Sequence, residues 1–243
     1  MFLLPKNYWE VKESKKKGRG VFAKKDIDAG TIIGDYLGKI VSDEDEAKEN
    51  EGFYEMYYTD DTSIWPDPKS EGIHLINHSC EPNAFMYTYQ GHTLYFATRK
   101  IFAGEEITVS YCLNPIDDDC EPCKDICHCG SEICTGTMHL NQERYERWRD
   151  FDDAMAKDFI VPPFTFGDNL EKLSSYPPTI KDNTIYPLFG AHNQSPLVVN
   201  TNKIPSHKEI RKSIRESGRQ LHFKHFNLII WGIVDNYFLC KTP

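Results

Sequence analysis

The chain has 243 residues, with 28 Lys and Arg against 37 Asp and Glu and a formal net charge of -9. That length allows one or two domains with a buried core of their own, and the acidic balance excludes a chain whose bulk coats nucleic acid. A basic partner suits it better.

Met1-Phe-Leu-Leu-Pro-Lys6 lacks the sustained apolar stretch of a signal peptide, and the late apolar run from Leu228 to Val234 is too short to span a bilayer. An intracellular protein with no membrane partner is expected. Of eight cysteines, those at 112, 120, 123, 127, 129 and 134 crowd into one stretch, which in a reducing compartment points to metal rather than disulfides.

Residues 8 to 41 alternate apolar segments with glycine: Trp9-Glu-Val11, Gly18-Arg-Gly20-Val-Phe-Ala23 and Thr31-Ile-Ile-Gly-Asp-Tyr36-Leu37 read as short strands with tight turns. Residues 42 to 61 are strongly acidic, the pattern of a solvated face. Ile73, Leu75 and Ile76 read as an apolar, strand-like approach to the polar segment Asn77-His-Ser-Cys-Glu-Pro-Asn83. A polar loop at a strand end is a common seat of chemistry.

Two further strands, His92 to Arg99 and Glu106 to Tyr111, flank the turn Phe102-Ala-Gly104. The cysteine-rich tail runs to about Leu140. From Tyr145, the apolar residues Trp148, Phe151, Met155 and Phe159 recur at three- and four-residue spacing, which predicts an amphipathic helix. Seven prolines between 162 and 205 then break the chain. Residues 203 to 224 hold seven Lys and Arg against two Glu and read as a basic helix, followed by an apolar segment from Phe226 to Leu239.

Taken in order, these segments resemble the SET-domain family of protein lysine methyltransferases. Gly18-Arg-Gly20-Val-Phe-Ala23 is similar to the family's cofactor-binding Gly-x-Gly segment, and Tyr36-Leu-Gly38 to its Tyr-x-Gly strand. Asn77-His-Ser-Cys80-Glu-Pro-Asn83 and Gly104-Glu-Glu-Ile with Tyr111 resemble the two signature segments, and Cys127-His-Cys129-Gly-Ser-Glu-Ile-Cys134 resembles the post-SET zinc motif. The likeness covers roughly residues 8 to 140.

The resemblance implies an α+β fold: a β-rich SET domain of small sheets with a knot-like crossing at 8–113, a zinc-bound post-SET segment at 114–140, and a mostly helical extension at 141–243. It implies S-adenosylmethionine (AdoMet) as methyl donor, held by Lys17, Gly18, Arg19, Gly20, Asn77, His78 and Met138. Catalysis falls to Tyr111, with Tyr36 as the second wall of the lysine channel. Zinc falls to Cys80, Cys127, Cys129 and Cys134. Cys112, Cys120 and Cys123 form a rival set, and His128 competes for a mixed site.

The implied substrate is an exposed lysine of a histone tail or another Lys-rich protein, drawn by the acidic 42 to 61 segment. The basic 203 to 224 segment suits contact with a nucleosome, and the implied location is nuclear in a eukaryote and cytoplasmic otherwise. Three departures stand out: Val109 where the family usually has Phe or Tyr, which leaves room for more than one methyl group; Ser110 for a common Asp; and His74 for a frequent Arg. They keep two other readings open, a SET-like peptide-binding module with weak or no catalysis and a zinc-organised interaction scaffold.

Overall fold

The computed structural model describes residues 1–28, 30–42, 54–98, 100–117, 120, 123–131, 134–146, 148–149 and 160–177. Among the described residues, ten short strands form four small sheets. Strands β1 (Trp9–Ser14) and β2 (Gly18–Ala23) make an antiparallel hairpin in which Val11 faces Val21. Strands β3 (Ile32–Asp35), β8 (Ala84–Tyr89) and β9 (His92–Ala97) make a second sheet with β9 in the centre.

In the third sheet, β6 (Thr62–Trp65) lies between β4 (Lys39–Ser42) and β5 (Met56–Thr59). The fourth is a single parallel pair, β7 (Asn77–His78) with β10 (Thr108–Val109).

The sheets share one core. Ile27, Ile33, Ile40, Ile64, Ile73, Ile76, Ile101 and Ile107 are all essentially inaccessible to solvent. Each such side chain contributes about 1.5–3 kcal/mol of transfer free energy. The β-branched isoleucines suit short strands pressed together from several directions.

Two edge strands, β3 and β4, are covered rather than left open. The first residues close β3, where the Leu3 amide donates to the Ile33 carbonyl at 2.9 Å. The extension closes β4. There the Gly167 amide donates to the Ile40 carbonyl and the Ile40 amide to the Asp168 carbonyl, both at 2.8 Å, and Leu170 enters the core.

Three expectations change. Ile73–Leu75 form a 3-10 turn rather than a strand, and all three are buried, because a tight turn lets the chain bury successive side chains before it opens into β7. The segments flanking the Phe102–Gly104 turn do not pair with each other. Residues 104–107 run instead along β2, with the Ala23 amide donating to the Glu105 carbonyl at 2.9 Å and the Ile107 amide to the Val21 carbonyl at 2.7 Å.

The helical extension is the third, and only for residues 160–177. Residues 142–146 and 148–149 are helical, but 160–177 run as irregular chain packed on the core. The Phe151 to Phe159 part of the expected helix, the basic 203 to 224 segment and most of the acidic run, 43–53, lie outside the described residues. Among the described residues no helix is long and apolar enough to cross a membrane.

Candidate active site and cysteine cluster

The Asn77–Asn83 segment gains its shape from the parallel pairing of β7 with β10. Asn77 stands opposite Thr108 and His78 opposite Val109, and the Ser79 amide donates to the Val109 carbonyl at 2.8 Å. Asn83 closes the far end like a clamp. Its Oδ1 accepts from the Thr108 amide at 2.9 Å and its Nδ2 donates to the Glu106 carbonyl at 2.8 Å, which satisfies two backbone groups that no strand partner reaches.

The chain following the Gly104-Glu-Glu turn therefore lies between β2 and β7, and Glu106 sits where they meet. Its Oε1 accepts from Asn77 Nδ2 at 2.8 Å and its Oε2 from Lys17 Nζ at 2.6 Å. Asn77 Nδ2 also donates to the Arg19 carbonyl at 3.0 Å.

Gly20 makes that convergence possible. A Cβ there would lie 2.6 Å from Glu106 Oε1 and 2.7 Å from Asn77 Nδ2. Its missing side chain thus makes room for protein atoms, whereas Gly18, at φ +70°, has open space on the side where a Cβ would point. Lys17 is paired with Glu106 and both are mostly buried, at 13% and 17% side-chain exposure. Arg19 is exposed and donates to the Pro68 carbonyl at 3.1 Å.

Beside this junction four tyrosines gather. The Tyr111 hydroxyl donates to the Ile76 carbonyl at 3.2 Å, and its backbone amide donates to His78 Nδ1, also at 3.2 Å. Tyr36 follows β3 and donates its hydroxyl to the Tyr54 carbonyl. The rings of Tyr36 and Tyr95 lie 6.2 Å apart.

Tyr111 as a whole is 36% exposed, but burial around its hydroxyl, set against a hydrogen bond involving His78, pushes that group up to about 12. Burial, followed by the nearby Tyr111, pushes Tyr36 higher still, and Tyr95 rises through burial, then Tyr36 and Tyr111. The three phenols face a common region and stay protonated at neutral pH. Burial likewise pushes His78 down to about 4. The arrangement offers hydroxyls and ring faces without fixed charge. Val109, beside it on β10, is wholly buried in the core.

The back of the same loop meets the cysteine-rich tail. The sulfurs of Cys80, Cys127, Cys129 and Cys134 lie within 4.8 Å of one another. Cys80 Sγ is 3.7 Å from Cys127 Sγ and 3.9 Å from Cys134 Sγ. Sulfurs about 2.3 Å from a tetrahedral zinc ion are separated by roughly 3.8 Å, so the donor set fits that ion.

Hydrogen bonding from Cys80 holds the Cys129 thiol down to about 3, and the same contact with burial pushes Cys80 up. Ser131 Oγ donates to Glu81 Oε2 at 2.8 Å, adding a buried tie between loop and tail. Cys112 and the exposed His128 belong to neither group of potential metal ligands among the described residues, and Cys120 and Cys123 lie elsewhere. Met138 is half-buried and its amide donates to the Asp125 carbonyl at 2.8 Å.

Tyr54, Tyr95, Asn83 and Glu106 are the residues that the sequence alone did not single out. Glu106 carried a signal, being the second acid after Gly104. Tyr95 carried only its place in a strand, and Tyr54 and Asn83 only their neighbourhood.

The SET-domain family profile matches residues 18–112. Histone-lysine N-methyltransferase 2B of Homo sapiens is 37% identical over 130 residues, which cover 48% of this chain and 5% of that protein. Histone-lysine N-methyltransferase trithorax of Drosophila virilis is 32% identical over 140 residues, 53% of this chain and 4% of its own length. The H3 lysine-36 specific histone-lysine N-methyltransferase of Candida albicans is 32% identical over 147 residues, 55% of this chain and 17% of its own.

The chain thus matches only a small part of these much longer relatives. Within that part, the profile spans β2, both signature segments and Tyr111. Residues 18–112 are a SET domain.

Proposed function

We propose that the protein is an AdoMet-dependent protein-lysine N-methyltransferase acting on a histone or another Lys-rich protein. The observation that carries this reading is the junction at Glu106 and Tyr111, where the Gly18–Gly20 segment, Asn77 and His78 converge beside a group of protonated tyrosines. Similarity to three histone-lysine methyltransferases supports it.

Bound AdoMet supplies an electrophilic methyl group on a sulfonium. The chain's own part is to hold a neutral amine in line with it, a positioning task rather than a proton-abstraction task. Tyr111 keeps its proton and donates it in a hydrogen bond to the Ile76 carbonyl, so its oxygen lone pairs are free to orient an amine N–H. The rings of Tyr36, Tyr95 and Tyr111 face cationic character without a counter-ion that would trap it. The amine loses its own proton because a desolvated channel and the nearby sulfonium lower a lysine pKa from its usual value near 10.4.

Asn77, His78, Gly18, Gly20 and Met138 are the proposed cofactor contacts. Lys17 acts through Glu106, its carboxylate partner, while Arg19 presents the exposed positive charge toward a cofactor carboxylate. Zinc held by Cys80, Cys127, Cys129 and Cys134 fixes the tail against the back of the signature loop. Residues 8–113, 114–140 and 141–243 are the proposed SET, post-SET and extension units, and a chromatin substrate implies a nuclear location.

Incubating the chain with methyl-labelled AdoMet, histones and a pool of non-histone proteins tests the reading. Label on a protein lysine supports it. AdoMet bound without transfer favours a peptide-binding module, and metal without AdoMet favours an interaction scaffold.

A further inference from the structure

A second group of side chains able to ligate a metal lies in the tail, apart from the four-cysteine cluster. Ligand atoms of Cys120, Cys123, Asp125 and His139 all fall within 4.8 Å of one another. His139 Nε2 is 3.3 Å from Cys120 Sγ and 3.2 Å from Asp125 Oδ2. Cys123 Sγ lies 3.8 Å from Thr137 Oγ1.

His139 is oriented from behind. Its Nδ1 lies against the Asn114 carbonyl, which can only accept, so the Nδ1 proton points there. In its neutral form the ring turns the Nε2 lone pair toward a carboxylate, which only accepts, and a thiol, which is a weak donor at best. A cation between them satisfies all three. A histidine whose far nitrogen donates to a backbone carbonyl is the usual arrangement around a protein metal ion.

The spacing agrees. Around a tetrahedral zinc ion, with bonds of about 2.0–2.3 Å, N–O and S–N ligand separations come to roughly 3.4–3.6 Å. Those measured are slightly shorter, at 3.2 and 3.3 Å. Cys-x-x-Cys is also a common way for one turn to supply two ligands.

We propose that Cys120, Cys123, Asp125 and His139 form a second divalent-metal site, selective for zinc-like ions that accept mixed S, N and O ligands. Its place in the chain gives it a purpose. Residues 125–127 and 136–138 pair back to back, with the Cys127 amide donating to the Gly136 carbonyl at 3.0 Å and the Met138 amide to the Asp125 carbonyl at 2.8 Å.

The four-cysteine cluster sits at one end of this ribbon and the mixed cluster at the other. Leu113 pairs with His139, and the Leu140 amide donates to the Leu113 carbonyl at 3.0 Å. The second ion therefore fastens Met138 and its neighbours to chain that begins two residues beyond Tyr111. The site stands on its own ligands and does not depend on the methyltransferase reading.

The test is metal content of the whole chain, purified with zinc as the only added metal. About two zinc equivalents are expected for the unaltered protein, about one for Cys120→Ser/Cys123→Ser and for His139→Asn, and about one for Cys129→Ser. A single equivalent in the unaltered chain, or two retained in both tail variants, overturns the proposal. Cobalt titration of the metal-free unaltered chain keeps the test independent of variant folding. The second equivalent should add a thiolate charge-transfer band of about half the intensity of the first, since it has two thiolate ligands rather than four; no thiolate band from the second equivalent also overturns it.

Discussion

The backbone amide of Tyr111 donates to Nδ1 of His78 at 3.2 Å, and the two rings meet edge to face with centroids 5.4 Å apart. The signature histidine and the signature tyrosine, which lie 33 residues apart, are therefore one structural unit. His78 fixes the chain that carries Tyr111, and the Ile76 carbonyl fixes the hydroxyl at its tip.

Tyr111→Phe separates these roles. Loss of the hydroxyl bond to Ile76 should cost about 1 kcal/mol of stability. Turnover should fall about a hundredfold or more, equivalent to ~2.7 kcal/mol in the barrier, with AdoMet affinity nearly unchanged. Calorimetric AdoMet binding beside a methyl-transfer assay checks this. Equal loss of binding and turnover would count against a catalytic role.

Glu106→Gln should weaken AdoMet binding more than it lowers turnover of the saturated enzyme. The carboxylate holds Lys17 Nζ at 2.6 Å and Asn77 Nδ2 at 2.8 Å, and the amide replaces an ionic acceptor with a neutral one. The mostly buried Lys17 then loses its counter-charge, at a cost on the order of 2 kcal/mol in stability. Denaturant unfolding and a KM-against-kcat comparison measure the two effects.

Gly20→Ala should be more damaging than Gly18→Ala for packing. The added methyl at 20 meets Glu106 and Asn77 at 2.6 and 2.7 Å, while at 18 it meets nothing within 4 Å. Overpacking of about 1–3 kcal/mol is expected at position 20. At 18 the cost is that of a side chain at positive φ, about 1 kcal/mol. Thermal denaturation of the two variants gives the ranking.

Asn83→Ala removes both arms of the clamp and leaves the Thr108 amide and the Glu106 carbonyl without their partner. A loss of about 2–4 kcal/mol is expected, from two backbone groups at 1–3 kcal/mol each with partial relaxation. Hydrogen exchange at Thr108 should rise well above that of Ile107, whose amide keeps its bond to Val21.

His74 predicts an acid limb of stability. Burial, aided by the chain's amino terminus and Arg19, pushes it down to about 4, and its buried Nε2 has no hydrogen-bond partner among the described residues. The unfolded chain binds this proton below about 6.5. Stability is therefore full above about 6.5 and declines as pH falls toward 4, by on the order of 3 kcal/mol. His74→Phe should flatten this part of the pH profile, as read by unfolding between pH 7 and 4.

The sequence made the local pieces of the site legible because each is a contiguous run: Gly18–Gly20, Asn77–Asn83, Gly104–Tyr111 and Cys127–Cys134. What it could not display is how those runs share partners. Glu106 becomes central only when β2 and β7 flank it, and Tyr54 and Tyr95 matter only once the sheets bring them beside Tyr36.

The same reason explains the misread elements. Ile73–Leu75 is too short for periodicity to separate a buried 3-10 turn from a strand, and residues 104–107 choose β2 by tertiary fit. The mixed cluster was half visible through Cys120 and Cys123. Asp125 and His139 join it only through the folded tail, and Cys112, a neighbour in sequence, turns its thiol to the Ser110 carbonyl.

Mass spectrometry of histones after incubation with the whole chain and methyl-labelled AdoMet tests the central claim most directly. The account predicts labelled methyl groups on lysine side-chain nitrogens, lost with Tyr111→Phe. Bound AdoMet with no labelled lysine in histones or in a broad protein pool would contradict it.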